Sequence, residues 1–348
     1  MPSQSPPNPS REPTEVKEAR SKVPKFYPAL TQSALWQKTN DLLGFKTYFE
    51  DGILMIVKPA RRGRFLEVPG GPNIDWSDAK AVTKTLARIR AVAAENHCVF
   101  ARLRPNLLDT PAHRALLADR GLKLAPMHLS AENTIFLDLT KPTATLLAEM
   151  RRQTRYEVRR ADRLGLVVES SSSEESFRDF HRVQLATARR QNFVPPDLAT
   201  LLAEHTAFGD HARIYLARTP DTEITQKDTT YPKHSPIAYG LILIDPASSS
   251  AAYYEAASTD LNHALPGAYA LQWQVIQDLS QQGITSYNLW GIAPPGAKNH
   301  RYSGVTTFKT GFGGEIVNFV PAHDLVLNPM LYLKTLAVEK LRKKQRHL

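Results

Sequence analysis

From about residue 26 to the C-terminus, short strand-like runs of apolar residues alternate with segments of helical periodicity. That alternation restricts the chain to architectures in which helices cover the faces of mixed sheets, so the fold class is α/β or α+β. Strands are expected at 52–58, 98–103, 134–139, 166–169, 213–217, 237–244, 251–257, 286–290 and 315–319. Helices are expected at 78–95, 111–120, 143–164, 176–190, 268–282 and 329–343. The run Asp245-Pro-Ala-Ser-Ser-Ser250 between two strands predicts a hairpin. The polar stretch 219–235 reads as a mobile surface loop. The pattern restarts near 139–143, which divides the ordered chain into units 26–141 and 142–327, followed by a closing helix over 328–348. Asn328 and Pro329 suit the start of that helix as cap and first-turn residue.

The first 25 residues carry Pro2, Pro6, Pro7, Pro9 and Pro13 among polar side chains, the composition of a disordered tail. They lack the apolar core of a signal peptide, and no run of about 18 apolar residues occurs anywhere, so a cytoplasmic address is expected. A net charge of +10 points to an anionic partner: nucleic acid, a phosphorylated substrate or a membrane surface. The single cysteine, Cys98, excludes an internal disulfide and a multi-cysteine zinc site, and its apolar neighbours suggest a buried small residue. The eleven histidines show no ligand spacing, so no metal is expected. A Walker-type loop and a strand-embedded G-x-G-x-x-G are both missing, which argues against nucleotide hydrolysis and dinucleotide binding.

Three clusters carry chemistry. Gly304-Val-Thr-Thr-Phe-Lys-Thr-Gly-Phe-Gly-Gly314 sets Lys309 between Phe308 and Phe312 among four glycines. An ammonium beside close-packing backbone suits a phosphate or a developing oxyanion, although a plain turn with a solvated lysine fits the same letters. Residues 151–163 hold six arginines; on a helix, Arg151, Arg152, Arg155, Arg159 and Arg163 share one face, opposite an apolar stripe of Leu147, Met150, Thr154, Val158 and Ala161. Such planar forks suit phosphates, and a solvated basic face is the ordinary alternative. Thr187-Ala-Arg-Arg-Gln-Asn-Phe193 offers Arg189 and Arg190 near a helix end. Tyr253 and Tyr254, adjacent in a strand, must face opposite ways, one into the core and one toward a groove. Lys340, Arg342, Lys343, Lys344, Arg346 and His347 load the end of the last helix, as dipole complement or as a contact for tRNA or an anionic membrane.

Several segments, in order, resemble the Fem (FemABX) family of peptidyl transferases: Gln32-Ser-Ala-Leu-Trp36, Val68-Pro-Gly-Gly-Pro72, Thr134-Ile-Phe-Leu-Asp-Leu139, the arginine-rich helix, Thr187-x-x-Arg190-x-x-Phe193, Tyr254-x-x-Ala-Ser258, Gly283-Ile-Thr-Ser-Tyr-Asn-Leu-Trp-Gly291 and Thr307-Phe-Lys-Thr-Gly-Phe-Gly-Gly-Glu315. The resemblance implies two acetyltransferase-like (GNAT-like) domains with the final helix packed back on the first. With only 219–235 where armed members carry a helical insertion, the chain looks like the armless, FemX-like form. It also implies transfer of an amino acid from aminoacyl-tRNA, a co-substrate in place of a cofactor, to the stem-peptide amine of a peptidoglycan precursor by a monomer. Lys309 matches the family's catalytic lysine, with Phe308 beside it. Arg189, Arg190, Phe193, Tyr253, Tyr254, Trp36, Lys38 and Trp290 are the implied substrate-binding residues, and Arg151, Arg155 and Arg159 the implied tRNA or phosphate contacts.

The chain departs from the family pattern at three places. Asn40 replaces a phosphate-contacting lysine, with Lys38 close by; Arg104 occupies a position that is often acidic; and Asn288 replaces a common aspartate. The alternatives are an acyltransferase with an acyl-thioester donor, and a non-catalytic tRNA- or envelope-binding protein on the same scaffold.

Overall fold

The computed structural model describes residues 27–60, 63–127, 131–226, 228–297 and 300–345. The expected N-terminal tail, and the side chains of the basic residues from Lys340 onward, lie outside the described residues.

In chain order the elements are α1 (Ala34–Leu42), β1 (Lys46–Glu50), β2 (Ile53–Ala60), β3 (Gly63–Val68), α2 (Ala79–Glu95), β4 (Cys98–Leu103), α3 (Pro111–Asp119), β5 (Lys123–Leu124) and β6 (Asn133–Asp138). They continue with α4 (Thr143–Glu149), α5 (Arg152–Arg163), β7 (Val167–Ser171), α6 (Glu174–Gln191), α7 (Leu198–Phe208), β8 (Ala212–Arg218), β9 (Ile224–Gln226), β10 (Thr229–Tyr231), β11 (Pro236–Asp245) and β12 (Ser250–Ser258). Last come α8 (Gly267–Gln281), β13 (Ser286–Asn288), α9 (Ser303–Thr310), β14 (Glu315–Asn318), β15 (His323–Val326) and α10 (Pro329–Gln345).

Two mixed sheets, each flanked by helices, carry the fold. The first runs β1-β2-β3-β4-β15-β5 and the second β14-β6-β13-β12-β11-β8-β7. In the first, β3 and β4 pair in parallel across α2, while the other pairs are antiparallel. In the second, β12 and β13 are parallel across α8. Strand β6 joins the second sheet from the N-terminal side of residue 141, and β15 returns to the first from the far end of the chain.

The cores follow from the sequence pattern. All six residues of β4 are buried, as a fully covered central strand requires. On α2, Asp78 caps the first turn through its carboxylate, and Val82, Leu86, Ile89, Val92 and Ala93 supply the buried stripe. Asn328 accepts from the Leu331 amide at 3.1 Å and starts α10 as expected. That helix packs on β4: Tyr332 meets Phe100 edge-on at 5.5 Å, and Arg102 bridges Asp324 of β15 and Glu339 at 2.7 and 2.9 Å.

Three expectations need correction. The helix expected over 143–164 is two helices, broken where Met150 and Arg151 are extended (ψ 149° and 144°). The stretch 219–235 contains the hairpin β9–β10, pinned by the Thr219 hydroxyl, which donates to Pro232 O at 2.7 Å and accepts from the Ser235 amide at 2.8 Å. Residues 303–310, read as part of a glycine-rich turn, form α9.

Candidate functional site

Helix α9 presents Lys309 from its last turn, and the turn proper is Gly311–Gly314. Gly313 and Gly314 take φ of +84° and +85°, and a Cβ on Gly314 would fall 2.6 Å from Phe136 O. Only glycine permits that conformation against a neighbouring strand. Phe308 and Phe312 anchor the segment, meeting each other at 5.1 Å; Phe308 also meets Tyr269 at 5.1 Å. So anchored, Lys309 is 7% exposed, and its Nζ donates to Gly291 O at 2.8 Å and lies 5.7 Å from the Tyr253 ring. Among the described residues no carboxylate pairs with it. Burial lowers its pKa from 10.5 to about 7.

The break before α5 explains where the arginines go. Extended Arg151 donates its amide to Gly311 O at 2.8 Å, and its guanidinium donates to Thr307 O at 2.8 Å, so Arg151 clamps both ends of the Lys309 segment. Arg155 donates to Ala148 O at 2.8 Å and to Met150 O, satisfying the carbonyls that end α4. Arg159 is exposed. Of the three expected phosphate contacts, two thus hold the backbone of the site, and only Arg159 is presented to solvent without such a bond.

Trp290 sits at φ +63°, a conformation rare for an aromatic residue, and Asn288 Oδ1 holds it by accepting its amide at 2.7 Å. This turn directs the indole toward Tyr254 at 5.3 Å, while the next carbonyl, that of Gly291, receives Lys309. Trp36 meets Tyr254 from the other side at 5.5 Å. The three rings line a cavity of about 170 Å³ together with Asn40, Lys58 and Glu67. A β-bulge in β12 produces the Tyr254 geometry: Leu241 pairs with Glu255 and Ile242 with Tyr253, leaving Tyr254 unpaired. Tyr253 points into the core under Lys309 and Tyr254 into the cavity, the division expected of adjacent strand residues.

Lys38 is exposed on α1 and does not line this cavity. The cation there is Lys58, whose Nζ donates to Asn40 Oδ1 at 2.8 Å and lies 3.4 Å from the Phe45 ring centre. Burial lowers the Lys58 pKa and raises that of Glu67, and each opposes the shift of the other. Sequence reasoning missed both, because neither lies in a recognisable motif; their placement depends on β2 and β3 reaching the cavity. Two further carboxylates lie beyond Tyr254: Glu204, held well above the usual range by burial and by Glu255, and Glu255, raised by burial to about 7. Arg190 is bound to the end of β12 through Ser258 O and to Asp260 at 3.3 Å, and Arg189 is exposed beside it. Ser258 is four positions past Tyr254, so this cluster lies about 13 Å along the strand from the aromatic cavity. Phe193 is half-buried just past the left-handed Asn192 that ends α6.

The arrangement is a desolvated, uncompensated ammonium joined through one peptide to an aromatic cavity that carries a second cation and a carboxylate. Such a site can hold a polar ligand and stabilise negative charge that appears during reaction.

The chain belongs to a known class. The FemAB family profile matches residues 125–227 and 220–340, more than half of the chain, and the protein is a member of that family. Among its relatives, the aminoacyltransferase FemA of Staphylococcus epidermidis is 28% identical over 108 residues, which is 31% of this chain and 25% of the relative. The aminoacyltransferase FemA of Staphylococcus aureus is 28% identical over 107 residues, with the same coverage. The match therefore spans a quarter of the length of these relatives. Among solved structures, FemX superposes with a TM-score of 0.73 at 16% identity over 88% of this chain and 94% of its own. The C-terminal domain of a putative lysylphosphatidylglycerol synthetase from Agrobacterium fabrum gives 0.53 at 14% identity over 86% and 91%. These two likenesses concern the fold.

Among the described residues no helix is long and apolar enough to cross a membrane.

Proposed function

We propose that the protein moves an amino acid from aminoacyl-tRNA to the stem-peptide amine of a peptidoglycan precursor, lipid-linked or nucleotide-linked. The observation that carries this reading is Lys309, buried, unpaired with any carboxylate among the described residues, and held against the carbonyl of Gly291, the residue that follows Trp290 of the Trp36–Tyr254–Trp290 cavity. Membership of the FemAB family supports it.

In this reading the acceptor amine lies in the aromatic cavity and attacks the ester carbonyl of the donor. A C–N bond forms, the carbonyl oxygen becomes an oxyanion, and the ester C–O bond then breaks to release the ribose oxygen. The Lys309 ammonium stabilises the oxyanion and gives its proton to the departing oxygen. Glu67, the carboxylate that lines the cavity, takes the proton lost by the amine. The ester is already activated, so orientation and charge stabilisation supply most of the catalysis. Exposed Arg159 and Arg189 are offered to tRNA phosphates, and the exposed Leu124, Met330 and Leu333 near α10 to peripheral contact with a membrane surface.

The test incubates the protein with a pool of charged tRNAs and lipid-linked precursor, and reads the mass of the product. The expected result is one added aminoacyl residue, lost when RNase is present. Transfer from an acyl-thioester without tRNA would replace this reading with the acyltransferase alternative.

A further inference from the structure

On the β2–β3 hairpin two opposite charges stand close without joining. Lys58 pairs with Phe65, and Glu67 lies two residues further along β3, so the two are diagonal neighbours on one face, about 7–8 Å apart at the backbone. An opposite-charge pair so placed can close an ion bridge. Here α1 holds the lysine away. Asn40, fixed by donating to Trp36 O at 2.9 Å, accepts from Lys58 Nζ at 2.8 Å, and the ammonium rests 3.4 Å from the Phe45 ring centre. That uses one of the three donors of the ammonium. The Glu67 carboxylate makes no hydrogen bond or ion pair with any described residue. Its other charged neighbour, Arg102, is spent on Asp324 and Glu339.

Both residues line the cavity of about 170 Å³ walled by Trp36, Tyr254 and Trp290. That volume equals about five or six water-sized groups, enough for the end of an amino-acid side chain. The two charges restrict what it holds. A plain ammonium would suit Glu67 and be repelled by Lys58. A phosphate or a lone carboxylate would suit Lys58 and be repelled by Glu67. A group that carries both signs on one carbon satisfies both residues, and with each contact about 2.8 Å long it spans a gap of the size the hairpin sets. The aromatic rings supply an apolar wall for the methylene stem that follows.

We propose that Lys58 and Glu67 hold a zwitterion between them: the acceptor's reacting amine sits on a carbon that also bears a carboxylate, with Glu67 meeting the amine and Lys58 the carboxylate. This rests on the aminoacyltransferase reading, since it names the acceptor of that same site. The substrate class is then a stem peptide with a diamino-diacid residue, and a stem peptide ending in a simple alkyl amine is disfavoured. Lys58 acts as a specificity residue, and Glu67 keeps its place as proton acceptor, facing an amine whose neighbouring carboxylate is fixed.

The probes are three synthetic stem peptides that differ only at the end of one side chain: amine and carboxylate on the same carbon, the amine alone, or the carboxylate alone. Calorimetry on the full chain is expected to show the zwitterionic peptide binding about 10- to 100-fold tighter than either of the others. In Lys58→Met the advantage over the amine-only peptide should vanish, while the advantage over the carboxylate-only peptide remains. In Glu67→Gln the pattern should reverse. Asn40→Ala keeps both charges but releases Lys58 to close on Glu67, and should cut the preference several-fold; an unchanged preference there counts against the assignment. Equal binding of the zwitterionic and amine-only peptides to the wild type, binding of none of the three, or a preference that survives Lys58→Met overturns the proposal. So does competition by inorganic phosphate as strong as that by the zwitterionic peptide. Transfer assays separate the two readings. Transfer from charged tRNA onto the amine-only peptide as fast as onto the zwitterionic one defeats the zwitterion assignment alone. A binding preference lost in Lys58→Met, without any tRNA-dependent transfer, defeats the enzymatic reading alone.

Discussion

Replacing Lys309 with methionine should make the protein more stable, in a manner that depends on pH. Burial takes the Lys309 pKa from 10.5 to about 7. At about 1.4 kcal/mol per factor of ten, holding this side chain charged in the folded state costs on the order of 5 kcal/mol. Methionine has similar length, fills much of the same buried space, and gives up one hydrogen bond to Gly291 O, worth about 1 kcal/mol. The net gain below pH 7 is therefore on the order of 4 kcal/mol. The sign follows from linkage: between about pH 7 and 10.5 the unfolded lysine holds more protons than the folded one, so wild-type stability from this group rises with pH. The advantage of Lys309→Met is then full below pH 7 and shrinks toward pH 10.5. Urea unfolding of both proteins at pH 6, 8 and 10 measures it. A variant less stable at pH 6, or a gap that does not change with pH, refutes the claim that Lys309 is a desolvated, uncompensated cation.

Other perturbations probe the frame around the lysine. Asp324→Asn leaves Arg102 buried with weaker compensation and should cost about 3–5 kcal/mol in denaturant unfolding; a change below about 1 kcal/mol would show that the bridge adds little. Arg151→Ala removes the bond to Thr307 O and should slow transfer about fivefold through looser placement of α9, with little change in melting temperature; unchanged transfer contradicts the clamp. Gly314→Ala forces a Cβ against Phe136 O and should cost about 2–4 kcal/mol by the same unfolding measurement, whereas a neutral outcome would show that the turn can shift.

Much of the frame was legible in the letters because local physics decides it. The strand at 98–103 coincides with β4, whose apolar run is buried on both faces, and the turn at 245–250 does join β11 to β12. Lys309 stood out because glycines and phenylalanines surround it, and these are the residues that seat α9. The helix itself escaped notice because Gly304, Thr306 and Thr307 are weak helix formers, and tertiary anchoring by Phe308 and Arg151 overrides them. The break between α4 and α5 was equally hidden: its cause is Gly311 O, 160 residues further along the chain. Lys58 and Glu67 acquire meaning only when β2 and β3 bring them to one cavity wall, a non-local fact with no motif to announce it. Arg151 and Arg155 show the converse. Their spacing suggested ligand contacts, yet both are consumed by backbone carbonyls.

Whether Lys309 carries aminoacyl transfer is decided by measuring labelled amino acid passed from charged tRNA to precursor by the wild type and by Lys309→Ala. Product is expected from the wild type, with a loss of at least about 100-fold in the variant and the fold intact by circular dichroism. Near-normal transfer by Lys309→Ala, or no transfer by the wild type from any charged tRNA, would contradict it.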